Sequence, residues 1–154
     1  MQLSKASELS NPPLLTTEQA LDALKQGNKL SNSYFAMYSS WFGGITVDPA
    51  LMMIPLDDHL VHRGDGVFEA MKVMNGGVYL LDEHIARLFQ SAAKIHLKPY
   101  ADEEQIKKLI LKTCKQAFQQ ARQMNYASTS KDFRAAVRVF MSRGPGTFSP
   151  SPYD

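Results

Sequence analysis

The chain has 154 residues, 44% of them hydrophobic and 21% charged, with a formal net charge of +2 at pH 7. A chain of about 150 residues buries roughly 70% of its unfolded surface, enough for one sizeable core, and this composition excludes a disordered or fibrous protein. The near balance of charge argues against nucleic-acid and anionic-membrane partners, and the single cysteine, Cys114, excludes an internal disulfide and fits a reducing compartment.

The N-terminus, MQLSKASELSNPP, lacks the apolar core of a signal peptide, and the apolar run LMMIPL at 51–56 is too short to span a bilayer. These features predict a cytoplasmic protein. Residues 1–15 are polar and contain the Pro12-Pro13 pair, so an arm is expected there. Thr17 has the chemistry of a helix cap, and Ala20, Leu21 and Leu24 recur at helical spacing until Gly27 stops the pattern. From Tyr34 the run YFAMYSSWF favours strand, Gly43-Gly44 supplies a turn, and ITV resumes the strand pattern.

A second hairpin is marked more sharply. VFEAMKVM leads into Asn75-Gly76, a pair suited to two successive positive φ angles, and GVYLL follows. At Asp82 the period changes from two to about three and a half, with Asp82 as the expected cap. Ile85, Leu88, Phe89, Ala92 and Ile95 then form one apolar stripe, and Lys98-Pro99 ends the helix. Asp102 and Gln105 have capping-box spacing ahead of a long amphipathic helix through Ile106, Leu109, Ile110, Cys114, Ala117 and Ala121. Lys107, Lys108, Lys112 and Lys115 mark its opposite face. After NYASTSKD, the alternation of FRAAVRVFMS at 133–142 predicts a strand, and RGPGTFSPSPYD reads as a linker.

Strands, then helices, then a strand predict a small two-layer α+β domain, with a mostly antiparallel sheet and two main helices packed on one face. The expected divisions are an arm and short helix at 1–33, the domain at 34–146, and the start of an interdomain linker at 147–154.

Several residues carry chemistry that the pattern alone leaves open. Arg63-Gly64-Asp65 spells an adhesion tripeptide, but an adhesion role requires secretion. His59 and His62 beside Asp57 and Asp58 are metal-ligand types, yet a three-residue gap without a third His or a Cys favours local hydrogen bonding over a metal. The lysine stripe reads as a solvated face, since no aromatic stacking ladder accompanies it. Cys114 falls on the apolar stripe and reads as core. Gly144-Pro145-Gly146 can expose backbone amides to a phosphate or form a plain turn. Arg87 lies off the apolar stripe near a helix N-terminus and has the fork geometry to grip a phosphate, whereas an exposed arginine is the simpler reading. On a regular strand Phe68 and Glu69 face opposite sides.

Residues 54–97, IPLDDHLVHRGDGVFEAMKVMNGGVYLLDEHIARLFQSAAKIHL, resemble the N-terminal domain of the class IV, fold-type IV, pyridoxal-phosphate aminotransferases. The features that carry the resemblance are the Gly-acid-Gly and aromatic-Glu sequence, the Asn-Gly hairpin, and Glu-His followed two residues later by Arg-Leu. A looser likeness runs from Tyr34 to Gly146, and DDHLVHRGDGVFE with the later SRGPG is most similar to the D-amino-acid aminotransferase-like branch. The resemblance implies pyridoxal 5'-phosphate as cofactor in a full-length parent, an amino acid and a 2-oxo acid as substrates, and a homodimer.

It also implies that Arg87 binds the cofactor phosphate, that Phe68 and Glu69 lie at the active-site edge, and that the glycines of GDG let the chain turn at the cofactor mouth. For both Phe68 and Glu69 to reach one site, a strand end, twist or bulge is needed.

Two departures stand out. Phe68 lacks the hydroxyl that the bacterial D-amino-acid enzymes commonly carry at this position to hold the substrate carboxylate, and SRGPGTFSP does not reproduce their arginine-and-histidine trap. Arg143 and His59 are therefore candidates for that carboxylate. The lysine that carries the cofactor belongs to the family's C-terminal domain, so no catalytic residue is expected among these 154 and the chain alone is expected to be inactive. Two alternatives remain: an aminodeoxychorismate lyase of the same family, and a stand-alone binding or dimerisation module without catalysis.

Overall fold

The structure, a computed structural model, describes residues 11–27 and 33–146. The first ten residues of the expected arm and the expected linker at 147–154 lie outside the described residues. The chain divides into two compact units, Met1–Met53 and Ile54–Asp154.

The first unit contains α1 (Thr17–Gly27), an antiparallel hairpin of β1 (Met37–Ser39) and β2 (Gly44–Thr46), and a 3₁₀ turn at Pro49–Leu51. The cap of α1 lies one residue earlier than the pattern suggests. Thr16 Oγ1 accepts from the Gln19 amide while the Gln19 side chain accepts from the Thr16 amide, a reciprocal box that Thr17 has no partner to make. Tyr38 pairs with Ile45 in the hairpin, but pairing stops after three residues on each strand, so most of the aromatic run is turn and loop.

The second unit carries α2 (His59–Arg63), β3 (Gly66–Met74), β4 (Gly77–Val78), α3 (Leu81–Lys94), α4 (Glu103–Gln123) and β5 (Ala135–Ser142). The sheet order is β4-β3-β5, antiparallel throughout. Asn75 and Gly76 adopt φ of 55° and 80°, as a tight hairpin of this twist requires. Along β3 burial alternates: Glu69, Met71 and Val73 face inward, while Phe68, Ala70 and Lys72 are exposed. Met71 and Met141 from the sheet join Ile85, Leu88 and Ala92 of α3 and Ile106 and Ile110 of α4 in one core cluster. The result is the predicted α+β arrangement.

Four boundaries differ from the sequence pattern. β4 stops at Val78, and Leu80 takes a left-handed conformation (φ 50°) that turns the chain straight into α3. Asp82 consequently sits inside the helix and does not cap it; its carboxylate instead meets Lys107 Nζ at 2.6 Å, tying α3 to α4. Lys107 is thereby removed from the solvated lysine face, and Glu104 completes its ion pairs at 3.0 Å. α3 ends at Lys94, ahead of Lys98-Pro99, because His96 turns left-handed and the amides of Ile95, His96 and Leu97 bond back to Ala92 and Ala93. β5 begins at Ala135, leaving Phe133 buried outside the strand against Phe118 and Tyr126. The capping box of Asp102 and Gln105 forms as expected.

The short helix α2 is absent from the sequence reading. Asp58 caps it through the Leu60 amide, and Gly64 at φ 67° closes it with bonds to the His59 and Leu60 carbonyls. The two glycines of the RGDG run thus have different tasks. Gly64 supplies a left-handed helix stop, whereas a Cβ at Gly66 would lie 2.9 Å from the Met141 carbonyl oxygen, so the glycine permits close pairing of β3 with β5.

Candidate functional site

The buried carboxylate of Glu69 organises the site. It is the third residue after Gly66 on β3, 6% exposed, and it faces α3. An ionised carboxylate at such a position is costly unless its oxygens are engaged. His84 and Arg87, three residues apart and therefore on one face of α3, supply the partners. Arg87 Nε donates to Glu69 Oε1 and Arg87 Nη2 to Oε2, each at 2.6 Å, and His84 Nδ1 lies 2.8 Å from Oε2. The Arg87 hydrogen bonds, reinforced by His84, bring the Glu69 pKa down to about 2 against the opposing effect of burial. Glu69 in turn raises the Arg87 pKa.

The protonation pattern follows from that charge. A carboxylate so acidic only accepts, so the His84 hydrogen sits on Nδ1 and points to Glu69. The 3.1 Å approach of Arg87 Nη2 to the same nitrogen is then proximity between two donors sharing one acceptor, not a hydrogen bond between them. The Arg87 side chain is 62% exposed, against 7% for that of Glu69. Its inner edge is fixed and its outer end faces solvent.

The other sequence-predicted residues are placed as follows. Phe68 is 63% exposed on the opposite face of β3, stacked on Phe140 with ring centroids 5.8 Å apart. The β3–β5 register runs unbroken from Gly66–Ser142 to Val73–Ala135, so no bulge turns Phe68 toward Glu69. His59 is 4% exposed, and among the described residues neither ring nitrogen has a hydrogen-bond partner. Its ring packs beneath Gly146, where a Cβ would come within 1.7 Å of Nε2. His62 meets the His59 ring edge-on at 5.0 Å, and among the described residues no cluster of three His, Cys, Asp or Glu side chains could hold a metal. Arg143 binds Asp65 through Nε and Nη2 and the His96 and Ile95 carbonyls through Nη1 and Nη2. This pairing lowers the Asp65 pKa. Cys114 is half-buried, and burial pushes its thiol up to about 11, which makes it a poor nucleophile.

His84 is the site residue that residue-by-residue reading passed over. Its signal was present: an inward strand position occupied by Glu, and a His and an Arg at i and i+3 off the apolar stripe of the following helix. That Arg87 is aimed by a buried carboxylate rather than by the helix end emerges only from the packing.

Comparison with known proteins bears on this arrangement. The profile of the family described as amino-transferase class IV matches residues 66–154. This chain belongs to that family. It is 37% identical over 147 residues to the D-amino-acid transaminase, chloroplastic, of Arabidopsis thaliana, covering 96% of this chain and 36% of that protein. It is also 34% identical over 111 residues to the bifunctional aminodeoxychorismate lyase / D-amino acid transaminase of Mycobacterium tuberculosis, covering 71% of this chain and 35% of that one. Among solved structures it is similar to a hypothetical aminotransferase from Mycobacterium tuberculosis in its PLP-bound form, with a TM-score of 0.54 and 29% identity over 71% of this chain and 35% of the other. The chain therefore spans about a third of the length of these relatives.

Proposed function

We propose that this chain is the N-terminal part of a pyridoxal-phosphate-dependent aminotransferase that moves an amino group between an amino acid, of D or branched-chain type, and a 2-oxo acid. The observation that carries this reading is the outward-facing guanidinium of Arg87, fixed along one edge by Glu69 and open at the other. Donors arranged in that way suit a phosphate, so the residues present fit the group that the family uses. When bound, the cofactor supplies the electron sink for chemistry at the substrate α-carbon. Arg87 would hold its phosphate, while Glu69 and His84 keep Arg87 in place.

In this reading the lysine that carries the cofactor lies in the remaining two thirds of the parent, which works as a cytoplasmic homodimer, and the present chain alone does not turn over substrate. A related reading, supported by the similarity to the bifunctional Mycobacterium tuberculosis protein, is a lyase that releases pyruvate from aminodeoxychorismate with the same cofactor.

The purified chain tests the assignment. Incubation with pyridoxal phosphate, borohydride reduction and intact-mass analysis should give no stoichiometric adduct at a single lysine, and transaminase assays should show no turnover. A single reduced adduct with normal turnover would place the reactive lysine within these residues and overturn the proposal. Pyruvate release by the full-length parent, measured beside amino-group transfer, distinguishes lyase from aminotransferase.

A further inference from the structure

A guanidinium has five N–H donors: two along a side edge, Nε with Nη2, two along an end edge, Nη1 with Nη2, and one on Nη1 that faces Cδ. Glu69 occupies the side edge of Arg87 completely, with both contacts at 2.6 Å. That leaves three donors, two at the end edge and one on Nη1 directed back toward Cδ, and among the described residues none of them has a protein acceptor. His84 Nδ1 binds the same Glu69 oxygen that takes Arg87 Nη2, so the carboxylate is itself prevented from swinging away. The local charge is equally informative. The positive charge of Arg87 is matched by the negative charge of Glu69, and net attraction for an anion is correspondingly weak. Recognition must come from the directed N–H fork rather than from a point charge.

We propose that Glu69 and His84 are positioning residues that confine Arg87 to end-on recognition of a phosphate monoester. This deepens the function proposed above and rests on it. Glu69 is not a competitor that an incoming phosphate displaces; it remains bound and sets the angle at which the phosphate is received. His84 acts one step further out, by fixing Glu69.

The test uses the whole 154-residue chain, inorganic phosphate as the probe, and chloride to match ionic strength. The side-chain resonances of Arg87 are followed by proton–nitrogen NMR. End-on binding moves the Nη signals and leaves the Nε–H signal at its starting frequency, a distinction that a merely structural role for Glu69 would not produce. Because this measurement uses the unmodified chain, it does not depend on a variant folding.

Preorganisation lost in Glu69→Gln should weaken phosphate binding about tenfold. His84→Ala should weaken it by about threefold, and His84→Asn, whose amide can replace the Nδ1–H donor, should restore most of the loss. If Nε–H shifts together with the Nη signals and Glu69→Gln binds phosphate as tightly as the parent chain or more so, the positioning role is wrong while Arg87 remains the phosphate ligand. If no Arg87 resonance responds to phosphate, both this inference and the function on which it rests are overturned.

Discussion

Two arginines of this domain grip a carboxylate through the same pair of nitrogens, and they end in opposite conditions. Arg143 spends its Nε and Nη2 on Asp65, then its Nη1 and Nη2 again on the carbonyls that close α3. Arg87 places Nε and Nη2 on Glu69 and presents the rest of its fork to solvent. The difference lies in what surrounds each guanidinium. Arg143 follows β5 directly into the region where α3 ends, and the carbonyls of Ile95 and His96 take up two more of its donors. Arg87 projects from the second turn of α3, where neighbouring carbonyls are already committed within the helix. A saturated arginine is a cross-link, whereas one with an open edge can receive a ligand.

This contrast can be broken or sharpened by substitution. Leu88, fully buried beside Arg87, anchors α3 to the core, so Leu88→Ala should cost about 2–5 kcal/mol in denaturant unfolding and loosen the frame that both arginines share. Arg143→Ala should cost about 1–3 kcal/mol, because Asp65 and two carbonyls lose a charged donor. Arg87→Ala leaves the buried Glu69 carboxylate with His84 alone, so it should lower the thermal midpoint at pH 7 by at least as much as Arg143→Ala does. Glu69→Gln added to Arg87→Ala should recover part of that loss.

Acid titration separates Glu69 from the general loss of stability. Its pKa falls from 4.5 to about 2 on folding, so its stabilisation is complete above the unfolded value and disappears as pH drops through the folded one. Glu69→Gln removes that titration, and its stability should vary less than that of the parent chain between pH 4.5 and about 2. The smallest effect is expected remote from both arginines, where Asp102→Ala deletes the α4 cap and should cost about 1 kcal/mol by thermal unfolding.

Much of the fold was legible because its signals are local. The Asn75-Gly76 turn, the stripe from Ile85 to Ala92 and the Asp102 box each need only a few neighbouring residues to specify a conformation. The boundaries that shifted were decided by partners distant in sequence or by backbone geometry that composition does not reveal. Asp82 met Lys107 on another helix, and Leu80 accepted a left-handed turn that a leucine seldom adopts. In the site, Arg87 was legible only as a forked donor lying off the apolar stripe of α3, and the buried carboxylate that orients it was not.

What the sequence by itself determined is the alternation that sets Phe68 and Glu69 on opposite faces of a strand, together with the i, i+3 spacing that sets His84 and Arg87 on one helical face. Strand and helix periods are properties of the backbone and can be read from order alone. Only the tertiary structure decided that this face of α3 meets that residue of β3, and that Asp65 meets Arg143 across 78 positions. Hydrogen bonds between side chains depend on distance in space, which residue order does not contain.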